Sequence, residues 1–120
     1  MDYGAPPPCP SGIASGFASS TDTADHEVIA APGDRLALMI TALVIHNGHA
    51  TTGTGVILKS GSVQIWGPIP APAGNGGAVI VPLNPPLPCA ANQPLNFACV
   101  DAVSTVSLSA LGYRAMSGQS

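Results

Sequence analysis

The chain has 120 residues, enough for one domain with a genuine core. Only 8% of them are charged, against about 25% in an ordinary soluble domain, and the net charge is −3. No basic patch exists to neutralise phosphates, which argues against nucleic acid as a partner, and so uncharged a chain is expected to have some of its apolar surface covered by other subunits.

The opening sequence MDYGAPPPCP has neither the basic start nor the apolar run of a secretory signal, so manufacture and use without that route is expected. Cys9, Cys89 and Cys99 are odd in number and lack metal-ligand spacing. Inert, reduced thiols are the simpler reading, and a Cys89–Cys99 bridge is the alternative. Residues 1–11 form a Pro-rich arm in which Pro6, Pro7, Pro8 and Pro10 favour an extended course without ladder hydrogen bonds. Such an arm is either a disordered tail or a stiff segment laid over a neighbouring subunit with Tyr3 as its anchor.

Residues 13–20, IASGFASS, read as a weak edge strand carrying Ile13 and Phe17. Asp22, Asp25 and Glu27 then surround His26. An exposed acidic turn is the expected reading, with a cation site as the sharper but rarer one. A short strand over 28–31 leads to Pro32-Gly33-Asp34, a turn that launches the most apolar stretch of the chain.

That stretch, residues 35–47, RLALMITALVIHN, is too short to span a bilayer as a helix. Flanking turn residues and the β-branched Ile40, Thr41, Val44 and Ile45 favour a strand over a buried helix. Strict alternation would place Leu36, Leu38, Ile40, Ala42 and Val44 on one side. Ala37, Met39, Thr41, Leu43 and Ile45 would fall on the other. Both sides are then apolar, which predicts a central strand with the core on one face and another protein chain on the other. After it, His46 and His49 flank an Asn-Gly turn. With no acid or Cys nearby in sequence they read as solvent-facing residues at a strand end, not as zinc ligands.

Residues 53–59 and 62–67 flank Ser60-Gly61 and predict a two-residue hairpin. The implied register pairs Leu58 with Val63 and Val56 with Ile65 on one face. It pairs Lys59 with Ser62, Ile57 with Gln64 and Gly55 with Trp66 on the reverse. Trp66 is then either a loop cap or an interface anchor. Residues 67–77 and 84–94 are so rich in Pro and Gly that irregular loops are expected, with a short apolar strand at 78–83 between them. Strands at 95–101 and 105–113 close the chain, the last with Val106, Leu108 and Ala110 inward and Thr105, Ser107 and Ser109 outward. Residues 12–115 thus form one domain between the arm and a loose tail at 116–120.

About eight short strands, no convincing helix and long Pro/Gly crossings predict an all-β, two-sheet antiparallel sandwich. Jelly-roll order suits the long crossings, with an immunoglobulin-like sandwich as the alternative. No nucleophile elbow, phosphate loop or carboxylate pair is present, so no catalytic, cofactor-binding or metal-binding residue is assigned and no enzyme is expected. The five aromatic positions, Tyr3, Phe17, Trp66, Phe97 and Tyr113, are few for a sugar-stacking face.

The runs APGDRLALMITALVIHN, GVILKSGSVQIWGPI, PAGNGGAVIVPL and ANQPLNFACVDAVSTVSLSALGYRA lie within residues 28–115. Together they resemble a pattern in small structural proteins of tailed bacteriophages, notably capsid decoration or cement proteins. The Gly-Gly loop before Ala78 and the closing Gly112-Tyr113-Arg114-Ala115 carry most of the likeness. The resemblance implies a β-sandwich unit, commonly a homotrimer, made in the host cytoplasm. It would bind a major capsid protein on the outside of the head and brace the shell, without cofactor or membrane. On that view Met39, Leu43, Ile57 and Trp66 are candidates for subunit contacts, and Tyr3, Pro6, Pro7 and Pro8 for capsid docking. A receptor- or carbohydrate-binding fibre module and a tail or connector component are the other readings.

Overall fold

The computed structural model describes residues 12–49, 51–72, 78–101 and 105–116. Among them are eight strands and no helix: β1 (Ile13–Ser20), β2 (His26–Ile29), β3 (Leu36–Asn47), β4 (Thr54–Ser60), β5 (Val63–Ala71), β6 (Ala78–Pro88), β7 (Leu95–Cys99) and β8 (Val106–Met116). They build two antiparallel four-stranded sheets, β1-β8-β3-β6 and β2-β7-β4-β5. Partners nest about the middle of the chain: β4 with β5, β3 with β6, β2 with β7, β1 with β8. The polypeptide is one long hairpin, bent at Gly61-Ser62 and rolled up, which is jelly-roll connectivity. The all-β, two-sheet sandwich read from the sequence is the fold observed.

The core lies between the sheets and is supplied mainly by their central strands. Leu38, Ile40, Leu43 and Ile45 of β3, Val56 and Leu58 of β4, Leu95 and Phe97 of β7, and Val106 and Leu108 of β8 are all fully buried. Each such side chain contributes about 1.5–3 kcal/mol of transfer free energy. On one flank the sandwich closes where edge strand β1 meets edge strand β2. Gly16 is required there, because a Cβ would collide with the Val28 carbonyl oxygen.

Loops segregate to opposite ends. At one end Gly33 N donates to Asn92 Oδ1 (3.1 Å), Gly61 N to the Pro94 carbonyl (2.9 Å), and Arg114 N to the Gly12 carbonyl (3.3 Å). At the other, Gly48 N donates to the Thr105 carbonyl and Val100 N to the Gly55 carbonyl, both at 2.9 Å.

Four local expectations are corrected. Residues 35–47 do not alternate strictly: Leu38, Ile40, Leu43 and Ile45 all face inward. The ladder is irregular between Ile40 and Ala42 against both neighbours, and this bulge resets the side-chain phase. Gly112 of β8 accommodates it, since the Met39 carbonyl presses so close there that no Cβ would fit. The hairpin turn, second, is Gly61-Ser62, not Ser60-Gly61, and the pairs are Ser60–Val63, Lys59–Gln64, Leu58–Trp66 and Val56–Ile69. Ser60 stays in the strand because its buried hydroxyl accepts the Ala90 N–H (2.8 Å), while Gly61 takes the positive φ of 63°.

Third, β5 continues to Ala71 and β6 to Pro88, through sequence expected to be irregular. Both are edge strands, where a residue without an N–H costs little on the open side. Finally, β8 reaches Met116, past the expected boundary.

Candidate functional site

The register of each sheet fixes which residues share an outer face. On the β2-β7-β4-β5 sheet one row runs Glu27–Asn96–Lys59–Gln64. It is polar on every strand, and the Lys59 ammonium also pairs with Asp25 Oδ1 at 2.8 Å. This row is what an antiparallel sheet normally shows to solvent, although Val63 and Trp66 of β5 are exposed on the same sheet as well.

The β1-β8-β3-β6 sheet differs. Its outward rows read Phe17–Ser109–Val44–Ile80, Ser15–Leu111–Ala42–Pro82, and Ile13–Tyr113–Met39–Pro88. A further row, Ser19–Ser107–His46–Ala78, borders them. None of these residues is Asp, Glu, Lys or Arg. Ile13 is 70% exposed, Phe17 64%, Ile80 72%, Leu111 48% and Val44 41%. At the centre lies an open hollow of about 530 Å³, walled by Phe17, Val44 and Leu111 and floored in part by Ser15, Ala42 and Ser109.

This arrangement follows from β1. Its large residues Ile13 and Phe17 turn outward, and the small Ala14 and Ala18 turn inward. Tight approach to β2 at Gly16 leaves room for nothing bigger beneath it. Isolated apolar residues on a surface are ordinary, but a contiguous uncharged face across all four strands marks an interaction site.

The residues expected at subunit contacts do not form one patch. Met39 lies on the apolar face beside Tyr113 and Pro88. Leu43 belongs to the core, with 0% exposure, because the β3 bulge turns it inward. Ile57 is half-buried opposite Ala98 on the second sheet. Trp66, 39% exposed, sits opposite Leu58 on edge strand β5. Tyr3, Pro6, Pro7 and Pro8 lie outside the described residues, as does Cys9. Phe17, Ile80 and Leu111 were missed. The signal was present as alternation of small and large residues in β1, but the inward side is decided by packing against β2.

The other groups singled out in the sequence have structural partners. Asp22 Oδ1 lies 2.7 Å from His26 Nε2 and also accepts the Ala24 N–H (3.0 Å). The His26 contact first, and then the backbone N–H, hold this carboxyl below its ordinary range. His49 Nδ1 accepts the Thr51 and Thr52 N–H groups and so braces a turn. Cys89 and Cys99 are free and buried. Burial pushes the Cys89 thiol up to about 11 and shifts Cys99 in the same direction. Among the described residues no group of three His, Cys, Asp or Glu converges as metal ligands would. Comparison with protein-family models, with curated proteins and with solved structures returns no match.

Proposed function

We propose that this chain is a structural assembly protein, a decoration or cement protein of a phage capsid, which stabilises the shell by bridging capsid subunits on its outer surface. The reading is supported by one observation above all: of two otherwise comparable sheets, one carries a charged and polar outer row, and the other an uncharged apolar face across four strands. A sheet face turned to water ordinarily carries polar and charged side chains, and the outer rows of the β1-β8-β3-β6 sheet carry no Asp, Glu, Lys or Arg. Removing apolar area from water contributes about 2.5 kcal/mol per 100 Å² before ordering costs are subtracted. Cement that must detach before shell subunits separate adds that free energy to the stability of the particle. The Pro-rich arm with Tyr3, Pro6, Pro7 and Pro8 is the proposed capsid contact.

Electron microscopy of particles that incorporate the chain tests this. Sandwich-sized density on the outer surface of the head is expected. Density on the tail or connector, or none on the particle, overturns the assignment. Specific retention on a glycan array would favour a carbohydrate-binding module instead.

A further inference from the structure

We infer that the outer face of the β1-β8-β3-β6 sheet is covered by a second copy of this chain, packed face to face through Phe17, Val44, Ile80 and Leu111. The inference rests on reading this face as an assembly surface and names its occupant; it needs no capsid to be true.

Area is the first argument. A large apolar side chain presents on the order of 150–250 Å² when fully open, so the five most exposed ones together show roughly 500–600 Å². The intervening Ser15, Ala42, Pro82 and Tyr113 bring the face toward the ~800 Å² that each partner contributes to a standard interface. A peptide or a small ligand would leave most of it wet.

Chemistry decides between a copy and a foreign protein. The face carries no Asp, Glu, Lys or Arg, so it offers no charge for a partner to recognise and would leave a partner's charges unpaired. Its polar groups are mostly serine hydroxyls: Ser15, Ser19, Ser107 and Ser109. A hydroxyl both donates and accepts, so it can pair with its own counterpart across a symmetry axis, as a carboxylate or ammonium cannot. The relief is self-matching too. Phe17 projects from edge strand β1, and the hollow lies over Ser109 and Ala42 near the centre of the same face. Each copy therefore supplies both a projection and a recess, as symmetric contacts between identical subunits require.

Edge-to-edge association is disfavoured at the open edges, because β6 contains Pro82, Pro85, Pro86 and Pro88 and β5 contains Pro68 and Pro70, while edges β1 and β2 close on each other at Gly16.

Sedimentation analysis of the full chain at micromolar concentration is the test. A mass of two chains is expected, and a mass of three alone, which a face-to-face contact of this kind does not build, overturns the inference. Phe17→Ser combined with Ile80→Ser should weaken association by about 100-fold or more, with far-UV circular dichroism of the folded chain unchanged. Ser109→Arg, which removes no apolar group and places a charge in the hollow, should do the same and serves where the double variant fails to fold. Val63→Ser with Trp66→Ser, on the other sheet, should leave the mass alone. A wild-type monomer at every concentration overturns the inference. So does an oligomer that survives Ser109→Arg, or one that dissociates only with the Val63 and Trp66 changes. An oligomer that never binds heads would remove the capsid assignment and leave the interface. A monomer that decorates heads would do the reverse.

Discussion

Asn47 is the buried polar residue on which one end of the molecule is built. Its Nδ2 donates to the carbonyls of Thr52 (3.0 Å) and Ala71 (2.9 Å), and its Oδ1 accepts the His49 N–H (2.9 Å). One fully buried side chain thus ties the end of β3 to the following turn and to the end of β5. Asn47→Ala strands two carbonyls and an amide, and is expected to lower unfolding free energy by about 2–4 kcal/mol in a denaturant titration. Asn47→Asp should cost a similar amount, since a carboxylate cannot donate to either carbonyl. From the sequence, Asn47 reads only as half of an Asn-Gly turn. Its partner at Ala71 lies 24 residues away, on a segment whose prolines hide that it is a strand.

Elements were more legible where local and tertiary preferences agree. β4, β7 and β8 fall close to their expected positions, and the inward set Val106, Leu108 and Ala110 of β8 is as alternation predicts. The phase of β3 was not legible. It depends on a bulge that only a residue without a Cβ can accommodate, and that residue, Gly112, lies more than 60 residues downstream. Prolines disguised the second halves of β5 and β6 as loops, yet they suit edges: a missing N–H is one fewer donor for an incoming strand to use. Replacing Pro70 of β5 and Pro88 of β6 with Thr restores a donor on each open edge and raises β propensity. The double variant is expected to scatter light earlier on heating than the wild type, at equal concentration. Unchanged aggregation onset would show that these edges are protected by something else. The Lys59–Asp25 pair, by contrast, is exposed enough that about 0–1 kcal/mol is all it contributes.

For the molecule as a whole, the buried thiols set an alkaline limit on stability. The Cys89 thiol is raised to about 11 from 9.0, so between these values the native state keeps a proton that the unfolded chain releases. Its contribution is therefore complete below pH 9 and is lost as pH rises through 11. A fall on the order of 1–2 kcal/mol across that window is expected for this group, allowing for partial solvation. Cys89→Ala should remove this part of the decline, read as the difference between the two proteins' denaturation midpoints at pH 8 and pH 10.5. An identical decline in both would show that the thiol ionises without unfolding.

The nested order of strands has a practical side. Because Gly12 and Arg114 meet, the described chain enters β1 and leaves β8 at the same pole of the sandwich. The connection between β3 and β4 emerges at the opposite pole. A peptide grafted there would stand at the pole opposite the start of β1 and the end of β8, clear of the broad uncharged face of the β1-β8-β3-β6 sheet. One scaffold could in this way carry an inserted peptide while that face stays clear.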